Sequence, residues 1–329
     1  MNLAKTPRVA IIGAGLTGLS AARRLAEAGI DTRLFDKSRG VGGRVATRRL
    51  ERNGLNLRFD HGIPFLTSPQ LQAISEPMNS PPDPMPLDVA AHSELGRESL
   101  ICIADGMNRI GKWLASGLEI HLNRPVTEIV QSSSARQWQI LTGDDVVPDD
   151  FDLIITTTPP HQAAEILRSS DSTVVTTLNA IEPQGCWSLM LVTEPPLPLG
   201  LGLVSLPESQ IIERVINENA KGRSSEHLGL YTVHAKRPWS QRHMQSPKVD
   251  VQAAMIEALQ SLGLDSANIV HAQLHRWLYA GVAQPLGQPY LADTQRSLIC
   301  AGDWCLGNDI DCALASADAT AAQVIQSLV

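Results

Sequence analysis

The sequence predicts an α/β chain: a parallel-sheet domain assembled from both ends, with an α+β domain of mainly antiparallel sheet inserted between them. Three observations carry this. An apolar run, a glycine-rich turn and a helical pattern follow one another over residues 8–28. Strand-like runs between about residues 170 and 284 are separated mostly by loops. A last apolar run at 297–301 and an Ala-rich helix then resume the opening pattern.

Taken in order, residues 8–12 read as a buried strand. Residues 17–28 place Leu19, Ala22, Leu25 and Ala26 on one helical face, with Gly29 as the stop. Residues 32–35 form a second strand. Six prolines between Pro69 and Pro86 exclude a packed helix or a central strand there. Strands follow at 101–103, 118–121, 126–130 and 151–155, with helices at 108–116 and 162–167. In the middle, strands at 187–192, 228–233 and 269–274 accompany one helix at 251–262, and 194–202 is a loop. The expected division is 1–65, 101–168 and 285–329 for the first domain, and 66–100 and 169–284 for the second.

Composition narrows the function. With 43% hydrophobic and 19% charged residues, the 329-residue chain buries a sizeable core. A net charge of −7 gives no basic face for a phosphate backbone, and 4% aromatics give no base-stacking platform, so nucleic acid is excluded as a partner. No apolar run is long enough to span a membrane. The five cysteines, Cys102, Cys186, Cys300, Cys305 and Cys312, show no C-x-x-C spacing and read as reduced thiols, not metal ligands. A cytoplasmic location is expected.

The chemistry begins at Gly13-Ala14-Gly15-Leu16-Thr17-Gly18, between a strand and a helix, as a Rossmann-like G-x-G-x-x-G requires. Gly13 permits the turn, Gly15 lets backbone N–H groups reach a pyrophosphate, and Gly18 lets helix and strand pack. Asp36 ends the second strand about 20 residues on, where a carboxylate accepts from a ribose diol. A second glycine turn, Gly40-Val41-Gly42-Gly43-Arg44, can approach the same pyrophosphate, with Arg44 to neutralise it. Near the C-terminus, Gly302-Asp303 closes a strand before a helix and offers Asp303 to a second polar group.

This order, followed by Phe59-Asp60-His61-Gly62, resembles the FAD-dependent amine oxidase superfamily. The nearly continuous stretch from Asp36-Lys37-Ser38-Arg39-Gly40 to Arg44-Val45-Ala46-Thr47-Arg48-Arg49 is similar to the renalase-like proteins within it. Gly106-Met107-Asn108, Cys186-Trp187, the run from His275 to Ala280, and Gly302-Asp303-Trp304-Cys305 extend the likeness. The resemblance implies non-covalent FAD. Gly13, Gly15, Leu16 and Thr17 would hold its pyrophosphate, Asp36 and Lys37 the adenosine ribose, and Gly43 and Arg44 the diphosphate side. The Val126 backbone would meet the adenine, Asp60, His61 and Gly62 the flavin ring, and Asp303 the ribityl-phosphate. Ile310 and Asp311 would present a helix N-terminus to the pyrimidine edge, where reduced flavin carries negative charge.

The resemblance also implies hydride transfer to flavin N5 and re-oxidation by O2 to hydrogen peroxide. Its expected substrates are the 2- and 6-dihydro isomers of NAD(P)H. Such a donor needs orientation more than acid–base chemistry. His61, His275 and Tyr279 are the candidate catalytic residues. Strand alternation puts His275, Trp277 and Tyr279 on one face and turns Arg276 away. Two departures bear on the substrate: Ile63-Pro64-Phe65 replaces the Gln-aromatic pair of relatives, and the 66–100 region is shortened. The alternatives are an amine oxidase or desaturase acting on another small molecule, and a non-catalytic FAD-binding protein.

Overall fold

The structure, a computed structural model, describes residues 6–52, 54–75, 84–87, 100–132, 137–143, 145–223 and 227–328. The expectation for 66–100 therefore falls largely outside the described residues. The chain divides into two compact units, Met1–Gly43, Gly111–Pro183 and Gly281–Val329 forming one, Arg44–Ile110 and Gln184–Ala280 the other.

The first unit is built on a six-stranded sheet. Its spatial order is Tyr290–Asp293, Leu298–Ala301, Leu153–Thr156, Arg8–Ile12, Asp31–Phe35 and Glu119–His121. All neighbours are parallel except the antiparallel edge strand Tyr290–Asp293. Val9, Ala10, Ile11, Ile154 and Ile155 are fully buried, as strands covered on both faces must be. Helix Leu16–Glu27 packs against helix Ile310–Leu328. A three-stranded antiparallel sheet adds Ile129, Trp138 and Ile140 to a shared core with Ile154 and Phe151.

The second unit holds a five-stranded sheet in the order Leu203–Ser205, Ile212–Asn217, Gly229–Ala235, Pro183–Thr193 and Ile269–Val282. Strand Pro183–Thr193 is apolar on both faces because both are covered. Trp187, Leu189 and Leu191 pack with Val251 and Met255 of helix Lys248–Ala258. Met190 and Val192 pack with Leu57 and Phe59 of the hairpin Arg48–Arg52/Leu55–Phe59.

That hairpin contact accounts for the largest difference from the expected division. Residues 44–65 and 101–110 lie in the second unit, because the hairpin closes the apolar face of its sheet. Conversely, 169–183 and 281–284 lie in the first. The proline-rich segment also holds more regular structure than expected. Ser68–Ser75 is a helix with Pro69 in its first turn, where no N–H is needed. Pro84–Leu87 is an edge strand beside Leu100–Ile103, the position where a strand tolerates proline. Strand 126–130 begins later, at Glu128, so Val126 sits in the extended segment ahead of it.

Candidate active site

In the first unit the two glycine turns dock on each other. Gly42 N–H donates to the Ala14 carbonyl at 2.7 Å, and Gly15 and Gly42 form an isolated parallel bridge. Gly18 is glycine for packing: a Cβ there would lie 2.1 Å from the Gly13 carbonyl oxygen. Gly15 is different. Its backbone is ordinary extended (φ −78°), and a Cβ would meet nothing within 4 Å. The protein's own packing does not require glycine there, and the open space leaves room for a molecule to lie close to the turn. The helix that starts at Leu16 has no side-chain cap and no acid in its first turn, so its orphan N–H groups and positive end suit a diphosphate.

Asp36 stands at the end of the neighbouring strand. Its carboxylate accepts from Ala14 N–H at 2.7 Å and Ser38 N–H at 2.7 Å, which hold it beside the turn and leave one lone pair on each oxygen. Lys37 Nζ reaches Gln162 at 3.2 Å. Val126 is half-buried, and its own backbone groups make no hydrogen bond among the described residues. Gly302 has a structural reason as well, since a Cβ would lie 2.4 Å from the Trp304 indole nitrogen. Asp303 is buried at the start of the short turn that follows. Ile310 begins the last helix, buried, and Asp311 follows, exposed. The Asp309 carboxylate caps that helix by accepting from Cys312 N–H at 2.8 Å.

The second unit brings His61, His275 and Trp277 together. His61 stacks on Trp277 with centroids 5.1 Å apart and meets His275 edge-on at 4.7 Å. Trp277 Nε1 donates to the His61 carbonyl at 2.9 Å. Gly62 lets the segment pass so closely, because a Cβ would lie 2.1 Å from the Arg44 carbonyl oxygen and 3.1 Å from the Trp277 ring. Tyr279 lies two residues further along the same strand, half-buried. Arg276 turns to the opposite face, donates to the Met244 carbonyl at 3.0 Å and covers the Trp187 ring. Arg44 Nη1 donates to the Ala280 carbonyl at 3.0 Å.

Burial is the main cause that pushes His61 down to about 3, with His275 and Arg48 adding to it. His275 is pushed down to about 4, by burial and then by Arg48 and Lys248. Both rings are neutral at physiological pH.

Asp60 is placed otherwise than expected. Its carboxylate is fully buried and points into the fold, 3.0 Å from Lys221 Nζ and 2.6 Å from Arg223 Nη2. Thr47 Oγ1 donates to it at 2.6 Å and Met107 N–H at 3.0 Å. Glu218 completes the group, 3.0 Å from Lys221 and 2.5 Å from Arg223, and accepts from Asp60 N–H at 3.0 Å. Burial works to raise the Asp60 carboxyl, but Lys221 and Arg223 together hold it below its ordinary value. The Asp60 carboxylate and N–H are thus both engaged within the second unit, which leaves its backbone carbonyl. Glu218, Lys221 and Arg223 carry no local signal in the sequence, because their alternating charge reads as a solvated turn.

Comparison with known proteins decides the family. Residues 89–325 match the family described as flavin containing amine oxidoreductase. The chain belongs to that family. Residues 11–77 match an NAD(P)-binding Rossmann-like domain. Mouse renalase is 27% identical to this flavin amine oxidoreductase over 321 residues, 90% of this chain and 92% of its own. Two solved structures share the fold. A CLA-producing fatty acid isomerase from P. acnes has a TM-score of 0.71 at 14% identity, covering 100% of each chain. Cyclohexylamine oxidase from Brevibacterium oxydans has 0.70 at 10%, covering 98% of this chain and 99% of its own.

This flavin amine oxidoreductase is thus an FAD-dependent oxidoreductase, and the room left above Gly15 and the uncapped helix end beside it fit the dinucleotide. Among the described residues, no helix is long and apolar enough to cross a membrane.

Proposed function

We propose that this chain is an oxidase for dihydronicotinamides, the 2- and 6-dihydro isomers of NAD(P)H, with O2 as the final acceptor. Bound FAD would supply the redox chemistry, taking two electrons and a proton as hydride from the donor and passing them, with one solvent proton, to O2 as hydrogen peroxide. Within the first unit, Gly13 to Gly18, Asp36, Lys37 and Gly43 would hold the cofactor. Val126, Gly302, Asp303, Ile310 and Asp311 would complete its binding.

The observation that carries the reading is the cluster of neutral rings made by His61, His275 and Trp277. Imidazoles at about 3 and about 4 are poor bases for an ammonium substrate at neutral pH, since an efficient general base titrates near the working pH. A dihydronicotinamide asks for no base. Its ring nitrogen lone pair expels the hydride as the ring becomes aromatic, so a stacking surface that orients the ring supplies what the reaction needs. Tyr279, on the same strand face, would border that ring.

Anaerobic mixing of the FAD-loaded enzyme with each dihydronicotinamide isomer tests this. Bleaching of the visible flavin absorbance is expected with at least one isomer and not with primary amines. Bleaching by amines alone would overturn the reading.

A further inference from the structure

The geometry points to an anion site in the second unit, formed by Arg48 with Arg52 and Lys248 beside it, that holds a phosphate group of the substrate next to the His61–His275–Trp277 face. The inference deepens the proposed function and rests on that reading for the identity of the substrate.

Arg48, Leu50 and Arg52 point to one side of strand Arg48–Arg52 and are half-buried, whereas Arg49 and Glu51 on the other side are exposed. On strand Ile269–Val282, His271 and His275 share a face, four residues apart like the two arginines. Arg48 lies close enough to His61 and His275 for its charge to act on both, and Arg52 acts likewise on His271. Geometry places this face nearby: Arg48 pairs with Phe59, two residues before His61, and Leu50 and Val270 of the two strands pack against one apolar cluster. The charge of Lys248, the first residue of its helix, also acts on His275 from a third element.

The charges of three cations thus act on neutral rings, and among the described residues none of the three has an ion-pair partner. The Asp60 carboxylate is committed to Lys221 and Arg223. Three buried nitrogens here also lack a hydrogen-bond partner: Arg48 Nε, His61 Nδ1 and His271 Nε2. His61 is only 4% exposed. Buried donors without partners are costly, and a dianion bridging them would satisfy guanidinium and imidazole together. The overall charge of −7 repels an anionic substrate, so local cations have to supply the attraction.

The test compares dihydronicotinamide riboside, which has no phosphate, with the corresponding mononucleotide and dinucleotide. Arg48→Met should lower kcat/KM for the phosphorylated donors about tenfold more than for the riboside, mostly through KM, as expected on losing a charge-assisted bond. Lys248→Met should do the same more weakly. Equal losses on all three donors, or none, would overturn the site.

Calorimetry with inorganic pyrophosphate and the FAD-loaded enzyme gives a readout independent of turnover. Binding that Arg48→Met or Arg48→Gln weakens supports the site; absent or unaffected binding overturns it. If Arg48→Met does not fold, Lys248→Met carries both measurements, because Lys248 is exposed. Failure of all three donors to reduce the wild-type flavin would overturn the substrate reading, and the calorimetry would still decide the anion site.

Discussion

The indole N–H of Trp277 donates to the carbonyl of His61 at 2.9 Å while the two rings stack. One side chain therefore holds both the backbone and the ring of His61, and with them the turn that leads into Gly62. Replacing Trp277 by Phe keeps a stacking ring and removes the donor. Stability should fall by about 1 kcal/mol, the usual net worth of such a bond. Trp277→Ala should cost more and slow flavin reduction further. Urea unfolding of the FAD-loaded protein, together with stopped-flow reduction, measures both, and a Phe variant as stable as wild type would show that the bond does not hold the segment.

Gly15 and Gly18 should separate cleanly on substitution. Gly15→Ala adds a methyl into open space with an ordinary φ, so the apo protein should keep its stability while FAD is held at least about tenfold more weakly. Gly18→Ala drives a Cβ into the Gly13 carbonyl and should lower the yield of folded protein whether or not FAD is present. Flavin content per chain and apo-protein melting temperature distinguish the two.

The Asp60–Lys221–Glu218–Arg223 group should be intolerant of losing one member. Lys221→Met leaves two buried carboxylates facing one guanidinium, and breaking such a set typically costs about 3–5 kcal/mol. Because the Asp60 carboxyl lies below its ordinary value when folded, its contribution is present above about pH 4 and is lost as pH falls through the folded value. Asp60→Asn should remove that part of the acid sensitivity. Thermal melts of wild type and variant from pH 6 downward test the point.

His61 and His234 carry the opposite sign of dependence from a paired histidine. Both are pushed down to about 3, chiefly by burial, so below about pH 6.5 the unfolded chain binds protons that the folded chain refuses. Stability should fall as pH drops from about 6.5 towards 3, by up to about 1.4 kcal/mol per pH unit for each ring. Between pH 7 and 8 neither ring titrates, and the rate of flavin reduction should be flat there. A titrating His61 seen by NMR near neutrality would contradict the burial described here.

Much of the cofactor site was legible in residue order because its demands are local. A helix start that must admit a diphosphate needs glycine at fixed spacing, and a ribose carboxylate must end the next strand, so Gly13 to Gly18 and Asp36 announce themselves within a few turns of chain. Alternation likewise put His275 and Trp277 on one face and Arg276 on the other, because a strand has a period of two.

The tertiary structure decided what depends on partners remote in sequence. Asp60 meets Lys221 and Arg223 across separations of 161 and 163 residues, and nothing near Glu218 distinguishes a buried ion group from a wet turn. The hairpin 48–59 joined the second unit for the same reason. Its strands show half-polar alternation, and only the apolar Met190 and Val192 face of the neighbouring sheet determines where Leu57 and Phe59 are buried. The sequence by itself determined the cofactor, whose requirements are written into backbone conformation. Packing decided the surroundings of His61, since burial, neutral rings and nearby cations arise from side chains that only the fold brings together.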